Sequence, residues 1–465
     1  MSEHDATHWL GAIGREETSC EELMASSLDR IESRNGELNA VVSLRERGEL
    51  MDEARRADAV AKEERGRLHG LPFAVKDLAE TAGIRTTFGS PSFQDNVPTR
   101  DGALARRVRS AGAILIGKTN TPEWGFGSHT FNPVFGATRN PFDPSRSAGG
   151  SSGGAGCALR TGMVPLADGS DMMGSLRNPA VWNGVYGFRP TWGLVSGDVP
   201  EGPRGGDTFM HQLSTEGPMA RSPRDLALLL DVLAEPDRRH PFAPDAPTTF
   251  ARDLAPHAPK IGWWADMGGH LPVEDAVMAT CEAGLERWRR TGATVKPFRL
   301  DFDMEKVWRS WLVLRQFATV GRLEAVYRND AMREAMKADA VWEIEAGLAL
   351  SIHDVLEATN VRSAFHARFV EAMDGLDGVA LPAAQLLPFP VDWTWPREVA
   401  GREMDTYHRW MECVVPASLL GLPTLAFAMG LPDGLPAGIQ VMGRKGEDAR
   451  VLGIAEHWHR EFGLV

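Results

Sequence analysis

Residues 146–180 read RSAGGSSGGAGCALRTGMVPLADGSDMMGSLRNPA, with one Gly-Ser cluster at 149–154 and a second at 169–175. A flexible Gly-Ser tether has no apolar middle. Here an apolar segment separates the clusters, so the stretch reads as two shaped loops joined by a packed strand that sets their distance. Two serine loops facing each other point to nucleophilic chemistry, in which a hydroxyl attacks once a base lies within hydrogen-bond reach.

On either side of this stretch, strand-like runs at 71–75, 113–116, 261–264, 379–383, 424–428 and 438–442 alternate with helical patterns. That alternation is the βαβ signature of a largely parallel sheet. Ser19 and Glu22 form a capping-box pattern ahead of Leu23, Leu28 and Ile31, and a charged helix with Leu50, Ala54 and Ala57 follows, so two helices open the chain within 1–65. Asp101 is placed to cap a helix carrying Leu104 and Val108, Ser222-Pro223 starts another, and a last helix spans 447–462. Residues 303–375 read as helical and rich in Trp and Met, a lobe or insertion within one domain covering 1–465.

Composition narrows the partners. The chain has 465 residues, 43% hydrophobic and 24% charged, and a formal charge of -13. Phosphate binding rests on clustered Lys and Arg, so nucleic acid and anionic membrane are disfavoured. The N-terminal MSEHDATHWLGAIGREE has no basic segment followed by an apolar core, and no apolar run approaches the roughly 18 residues of a membrane span. The expectation is a cytoplasmic protein, a monomer or a homodimer through its N-terminal helices. Cys20, Cys157, Cys281 and Cys413 are widely spaced and read as free thiols.

The base is expected from LPFAVKD at 71–77. Lys76 ends an apolar strand, where burial disfavours the ammonium and leaves an amine able to accept a proton. The ordinary reading of such a lysine is a snorkelling surface residue. Ser-Lys pairing is an established alternative to Ser-His.

Taken together, GGSSGG at 149–154, GSDMMGSLRNPA at 169–180 and LPFAVKD resemble the motifs of the amidase signature hydrolases. GKTNTPEWGFGS at 117–128, YGFRPTWGLVS at 186–196, GPMARSPRDLALLLDVLA at 217–234 and GLPAGIQVMGRKGEDA at 434–449 extend the resemblance along nearly the whole chain. It implies an α/β fold: a large mixed, twisted sheet covered by helices on both faces. It further implies Ser175 as nucleophile, Ser151 as relay serine on a cis peptide and Lys76 as terminal base, with an oxyanion hole from the amides of Met172, Met173, Gly174 and Ser175. Ser152, Ser170, Asp171 and Arg177 match bracing positions, although Arg177 reads equally well as an ion-pair partner of Asp171. The loop after GKTNTPE makes Trp124, Phe126 and His129 pocket candidates, with residues 392–395 as a second wall. No cofactor is implied, and GGSSGG lacks the GK[ST] of a phosphate-binding loop.

One position departs from the family pattern, since Met173-Gly174 stands where two glycines are usual. Either Met173 takes an ordinary backbone conformation or the turn is reshaped, and Met172 and Met173 are expected to wall the acyl pocket. His457 and His459 lie two apart on one helix and point to different sides, which argues against a shared metal. Two functions fit. One is a stand-alone amidase cleaving an apolar or aryl carboxamide through an acyl-enzyme, and the other is a glutaminase like the amidotransferase A-subunit, feeding ammonia to a partner.

Overall fold

In the computed structural model, which describes residues 4–198 and 213–465, eleven strands join in one sheet. They are β1 (Val41–Val42), β2 (Pro72–Lys76), β3 (Ile114–Thr119), β4 (Leu166–Asp171), β5 (Tyr186–Arg189), β6 (Thr215–Ala220), β7 (Lys260–Trp263), β8 (Thr294–Pro297), β9 (Gly378–Pro382), β10 (Thr424–Gly430) and β11 (Ala437–Met442). Their spatial order is β1-β3-β2-β4-β6-β5-β10-β11-β9-β7-β8. β3, β2 and β4 are parallel, as are β9, β7 and β8; the pairs between these two blocks, and the β1 edge, are antiparallel. The sheet is therefore mixed rather than largely parallel. Its antiparallel middle includes β5 and β6, short strands that carry Gly or Pro and leave little hydropathy signal.

Both faces of the sheet are covered, and side-chain alternation shows it. On β10, Leu425, Phe427 and Met429 enter one core, while Ala426 and Ala428 enter the other. α1 (Ala6–Gly14), α2 (Cys20–Leu38), α3 (Arg47–Asp58) and α4 (Ala103–Ser110) lie on the first face. α5 (Gly153–Arg160) follows the first serine cluster and α6 (Asn178–Trp182) follows the second. α7 (Pro223–Leu233), α8 (Phe250–Asp253) and α9 (Asp275–Arg289) continue the first face. The chain then crosses to the second face with α10 (Met304–Tyr327) and α13 (Ile352–Ala372); between them come α11 (Asp330–Ala335) and α12 (Ala338–Leu348), and α12 packs through Ala340 and Ile344 with Leu323, Trp124 and Phe126 in a separate cluster. α14 (Val415–Leu420) joins the second core and α15 (Asp448–Phe462) returns to the first.

The capping box of Ser19 and Glu22 is present, and Ser222 accepts the Asp225 N–H at the start of α7 with Pro223 in the first turn. Three local expectations change. α1, too short for a clear periodicity, precedes the two expected N-terminal helices. Asp101 does not cap α4. Its carboxylate takes the Ala82 N–H and Arg109, while the Ala103 N–H at the helix start goes to Asp198 at 2.7 Å. The apolar middle of residues 146–180 is the helix α5 followed by β4, not a strand alone. α5 tolerates its glycines because packing demands them: a Cβ on Gly154 would lie 2.4 Å from the Asn120 nitrogen.

Candidate active site

Lys76 is the last residue of β2, preceded by Phe73, Ala74 and Val75, and is only 1% exposed. β2 and β4 are parallel neighbours, so their carboxyl ends arrive side by side and bring Lys76 next to Ser170. The backbone N–H of Lys76 donates to Asp168 of β4 at 3.0 Å. Its Nζ lies 2.8 Å from Ser151 Oγ, 2.8 Å from Ser152 Oγ and 3.0 Å from Ser170 Oγ. Burial holds the amine down to about 7, while the Asp168, Asp171 and Glu216 carboxylates oppose a further fall. A neutral amine has two N–H groups and one lone pair. Three hydroxyls match that set: two accept, and the third offers its proton.

Ser151 sits just ahead of α5, and the Gly150–Ser151 peptide bond is cis. Ser175 follows β4 by a tight turn in which Gly174 has φ 79°. Met173 is not among the residues with positive φ, so the departure from two glycines costs no left-handed strain. Gly174 is the residue the turn requires, since a Cβ there would also meet Val414 at 2.9 Å. The Gly174 N–H donates to Asp171 Oδ1 at 2.9 Å and is taken. The N–H groups of Met172, Met173 and Ser175 have no partner among the described residues.

The turn is held by an ion-pair network without solvent contact. Asp171 accepts from the Leu176 N–H and from Arg177 Nε and Nη2, each of the arginine contacts at 2.9 Å. Arg189 Nη1 also reaches Asp171. Burial alone would raise the Asp171 carboxyl, but these two guanidiniums carry it well below the usual carboxylate range. Arg177 spends its remaining N–H groups on Val414 O, Gln440 Oε1 and Ser418 Oγ, tying the turn to α14 and β11. Arg177 is thus the ion-pair partner of Asp171 and, through it, a brace of the serine turn.

Ser151 and Ser175 line one recess, together with Ser170, Leu78, Trp124, Phe126 and Met172. Several expected pocket residues do not reach it. His129 is 2% exposed, with Nε2 donating to Val391 O at 3.0 Å and Nδ1 accepting from Ser147 at 2.7 Å. Burial lowers its imidazole to about 4, so it is a neutral brace between two loops. Met173 turns into the second core, leaving Met172 alone at the pocket wall. Of residues 392–395, Trp393 stacks on Phe389 and Trp395 lies under Arg397, and neither is on the recess wall. His457 meets Trp288 and His459 meets Tyr186, on different sides of α15.

The opposite wall is α10, whose Arg315, Ala318, Thr319 and Arg322 face the serines. The sequence marks this segment only as helical. Arg315 is fixed by Glu343 and Tyr407 and by a 3.3 Å contact to Met172 Sδ. Arg322 Nη2 donates to Trp124 O at 2.6 Å. These partners lie far away in the chain, so no local pattern identifies the two arginines.

Known proteins resemble this chain along almost its whole length. A family model named Amidase matches residues 22–452. The A-subunit of glutamyl-tRNA(Gln) amidotransferase from Thermus thermophilus is 34% identical over 461 residues, which is 95% of this chain and 93% of that one. An acylamidase of Rhodococcus erythropolis is 30% identical, covering 97% of this chain and 95% of that one. The crystal structure of a bacterial aryl acylamidase superposes with a TM-score of 0.90 at 27% identity, over 99% of this chain and 96% of that one.

Proposed function

This chain belongs to the amidase signature family and is an amide-hydrolysing enzyme, and on that premise we propose that it cleaves a small carboxamide through Ser175, Ser151 and Lys76. The observation that carries the reading is Lys76 Nζ at 2.8 Å from Ser151 Oγ, with Ser175 on the wall of the same recess. Neutral Lys76 takes the Ser151 proton as Ser151 takes that of Ser175, and Ser175 Oγ bonds to the amide carbon. The oxyanion settles on the unpartnered N–H groups of Met172, Met173 and Ser175. Fixed backbone donors of this kind contribute roughly 3 to 4 kcal/mol each.

The proton then returns along Lys76 and Ser151 to the leaving nitrogen, and the C–N bond breaks with release of ammonia or an amine. Water attacks the acyl-enzyme by the same proton path and frees the carboxylate. Ser152 and Ser170 hold the two Lys76 N–H groups, aiming the lone pair at Ser151. Leu78, Trp124, Phe126, Met172 and Ala318 support an apolar or aryl acyl body.

A second reading, glutamine hydrolysis for a partner complex, is favoured by the 34% identity to the amidotransferase A-subunit. Against it, no Asp or Glu lines the recess among the described residues, so the α-ammonium of glutamine meets no counter-charge there. A panel of amides and esters, glutamine included, tests both. Ser175→Ala is expected to lower hydrolysis by about 10³-fold or more. Retained hydrolysis in that variant overturns the mechanism, and glutamine as the preferred substrate establishes the second reading.

A further inference from the structure

The recess carries a positive charge that no group among the described residues answers. Arg315 and Arg322 stand two turns apart on the same face of α10. Arg315 is neutralised by Glu343, to which its Nε donates, and lies over the Phe126 ring. Arg322 differs. Among the described residues its one hydrogen bond goes to a backbone carbonyl and no carboxylate pairs with it. Arg322 is an exposed residue, and it lines the recess that holds the two serines. A lone cation at this place runs against the balance of a chain whose net charge is -13.

Its position relative to the serines is defined. Arg322 is anchored on Trp124 O, and the next residue, Gly125, packs so closely on Ser151 that a Cβ there would lie 3.5 Å from its Oγ. The guanidinium is thus held one residue away from the contact with the proton-relay hydroxyl, within the span of a small molecule. Thr319, one turn earlier on α10, adds a hydroxyl to the same wall. A guanidinium presents a planar fork of N–H groups that matches a carboxylate in two parallel bonds, and such pairs strengthen where water is partly excluded.

Resting on the amidase reading, we propose that Arg322 determines specificity and that the preferred substrates are amides bearing a carboxylate on their apolar or aryl body. The carboxylate pairs with the free N–H groups of Arg322 while the amide carbon lies at Ser175 and the hydrocarbon between them packs against Trp124, Phe126 and Met172. Arg315, already satisfied, holds Met172 and Phe126 in place and leaves the anion to Arg322.

The test uses matched substrates: glutaramate against pentanamide, and 4-carbamoylbenzoate against 4-methylbenzamide, each neutral member having methyl for carboxylate. The intact enzyme is expected to favour the anionic member by about tenfold or more in kcat/KM. Arg322→Met brings that ratio close to one, and Arg322→Lys keeps part of it. The ratio is the proper readout, because removing Arg322 also alters the Lys76 amine, which acts equally on both members of a pair. Equal rates on both members in the intact enzyme, or a ratio unchanged in Arg322→Met, overturn the proposal. A calorimetric titration of Ser175→Ala with glutarate and terephthalate decides the anion site independently of turnover: binding weakened about tenfold or more by adding Arg322→Met supports it, and no binding, or binding indifferent to Arg322→Met, overturns it. Hydrolysis that survives Ser175→Ala overturns the amidase mechanism alone.

Discussion

A lysine buried at a strand end either sheds its proton or finds a counter-ion, and Lys76 stands between the two. Burial pushes its amine to about 7, with Arg322 also disfavouring the ammonium, while Asp168, Asp171 and Glu216 pull the other way. In the proposed mechanism Lys76 is the base and must be neutral to accept from Ser151. The predicted outcome is therefore a kcat/KM that is high above pH 7 and falls as pH drops through about 7, where Lys76 gains its proton. Burial raises Asp168 to about 6 and Glu216 to about 7, so these groups take up protons over the same range. Each protonation removes a charge that favoured the ammonium, which broadens the acid limb. Arg322→Met is expected to move the midpoint upward, since a repelling cation is gone. Steady-state kinetics between pH 5 and 9 check this, and a flat profile would exclude Lys76 as the titrating base. Lys76 is legible in the sequence because an apolar strand leads straight into it. Asp168 and Glu216 are not, because their effect depends on strands that meet only in the fold.

At the scale of elements, the turn after β4 and the helix α10 differ in how much the sequence discloses. The turn is local: Gly174, Ser175, Asp171 and Arg177 lie within seven residues, so the resemblance of one short motif marks them together. Even so, the sequence does not show which methionine meets substrate. One faces the recess and the other the second core, and a one-residue difference in a tight turn reverses the side. Met172→Ala is expected to shift relative kcat/KM between short and long acyl amides. Met173→Ala is expected to cost about 2 to 5 kcal/mol of stability, as for other buried methionines, and to leave the ranking of substrates as in the parent. Denaturant unfolding and a chain-length series measure the two effects, and a ranking changed only by Met173→Ala would refute this assignment of sides. α10 gives periodicity and nothing more. Its Trp, Met and Arg residues mark a helix with a wide buried surface, and only Trp124, Glu343 and Tyr407, far away in sequence, define which arginines face the serines.

Over the whole molecule, the same strands feed both cores. Val379 and Leu381 of β9 enter the second core and Ala380 the first, and β10 alternates in the same way. The helical segment 303–375 reads as a lobe or insertion within the domain because its sequence lacks strands. In the fold, α10 and α13 cover one face of the common sheet and α10 closes the recess, with Trp311 fully buried beneath them. A layer whose removal would strip a sheet face cannot melt separately from that sheet, so the chain is expected to unfold as one cooperative unit. Calorimetry is predicted to give a single transition, with loss of activity at the same temperature. Trp311→Ala, which opens a cavity costing about 3 to 5 kcal/mol, should move that whole transition downward without splitting it. A separate low-temperature transition in this variant, with the remaining structure intact, would show that the helical segment is an independent unit.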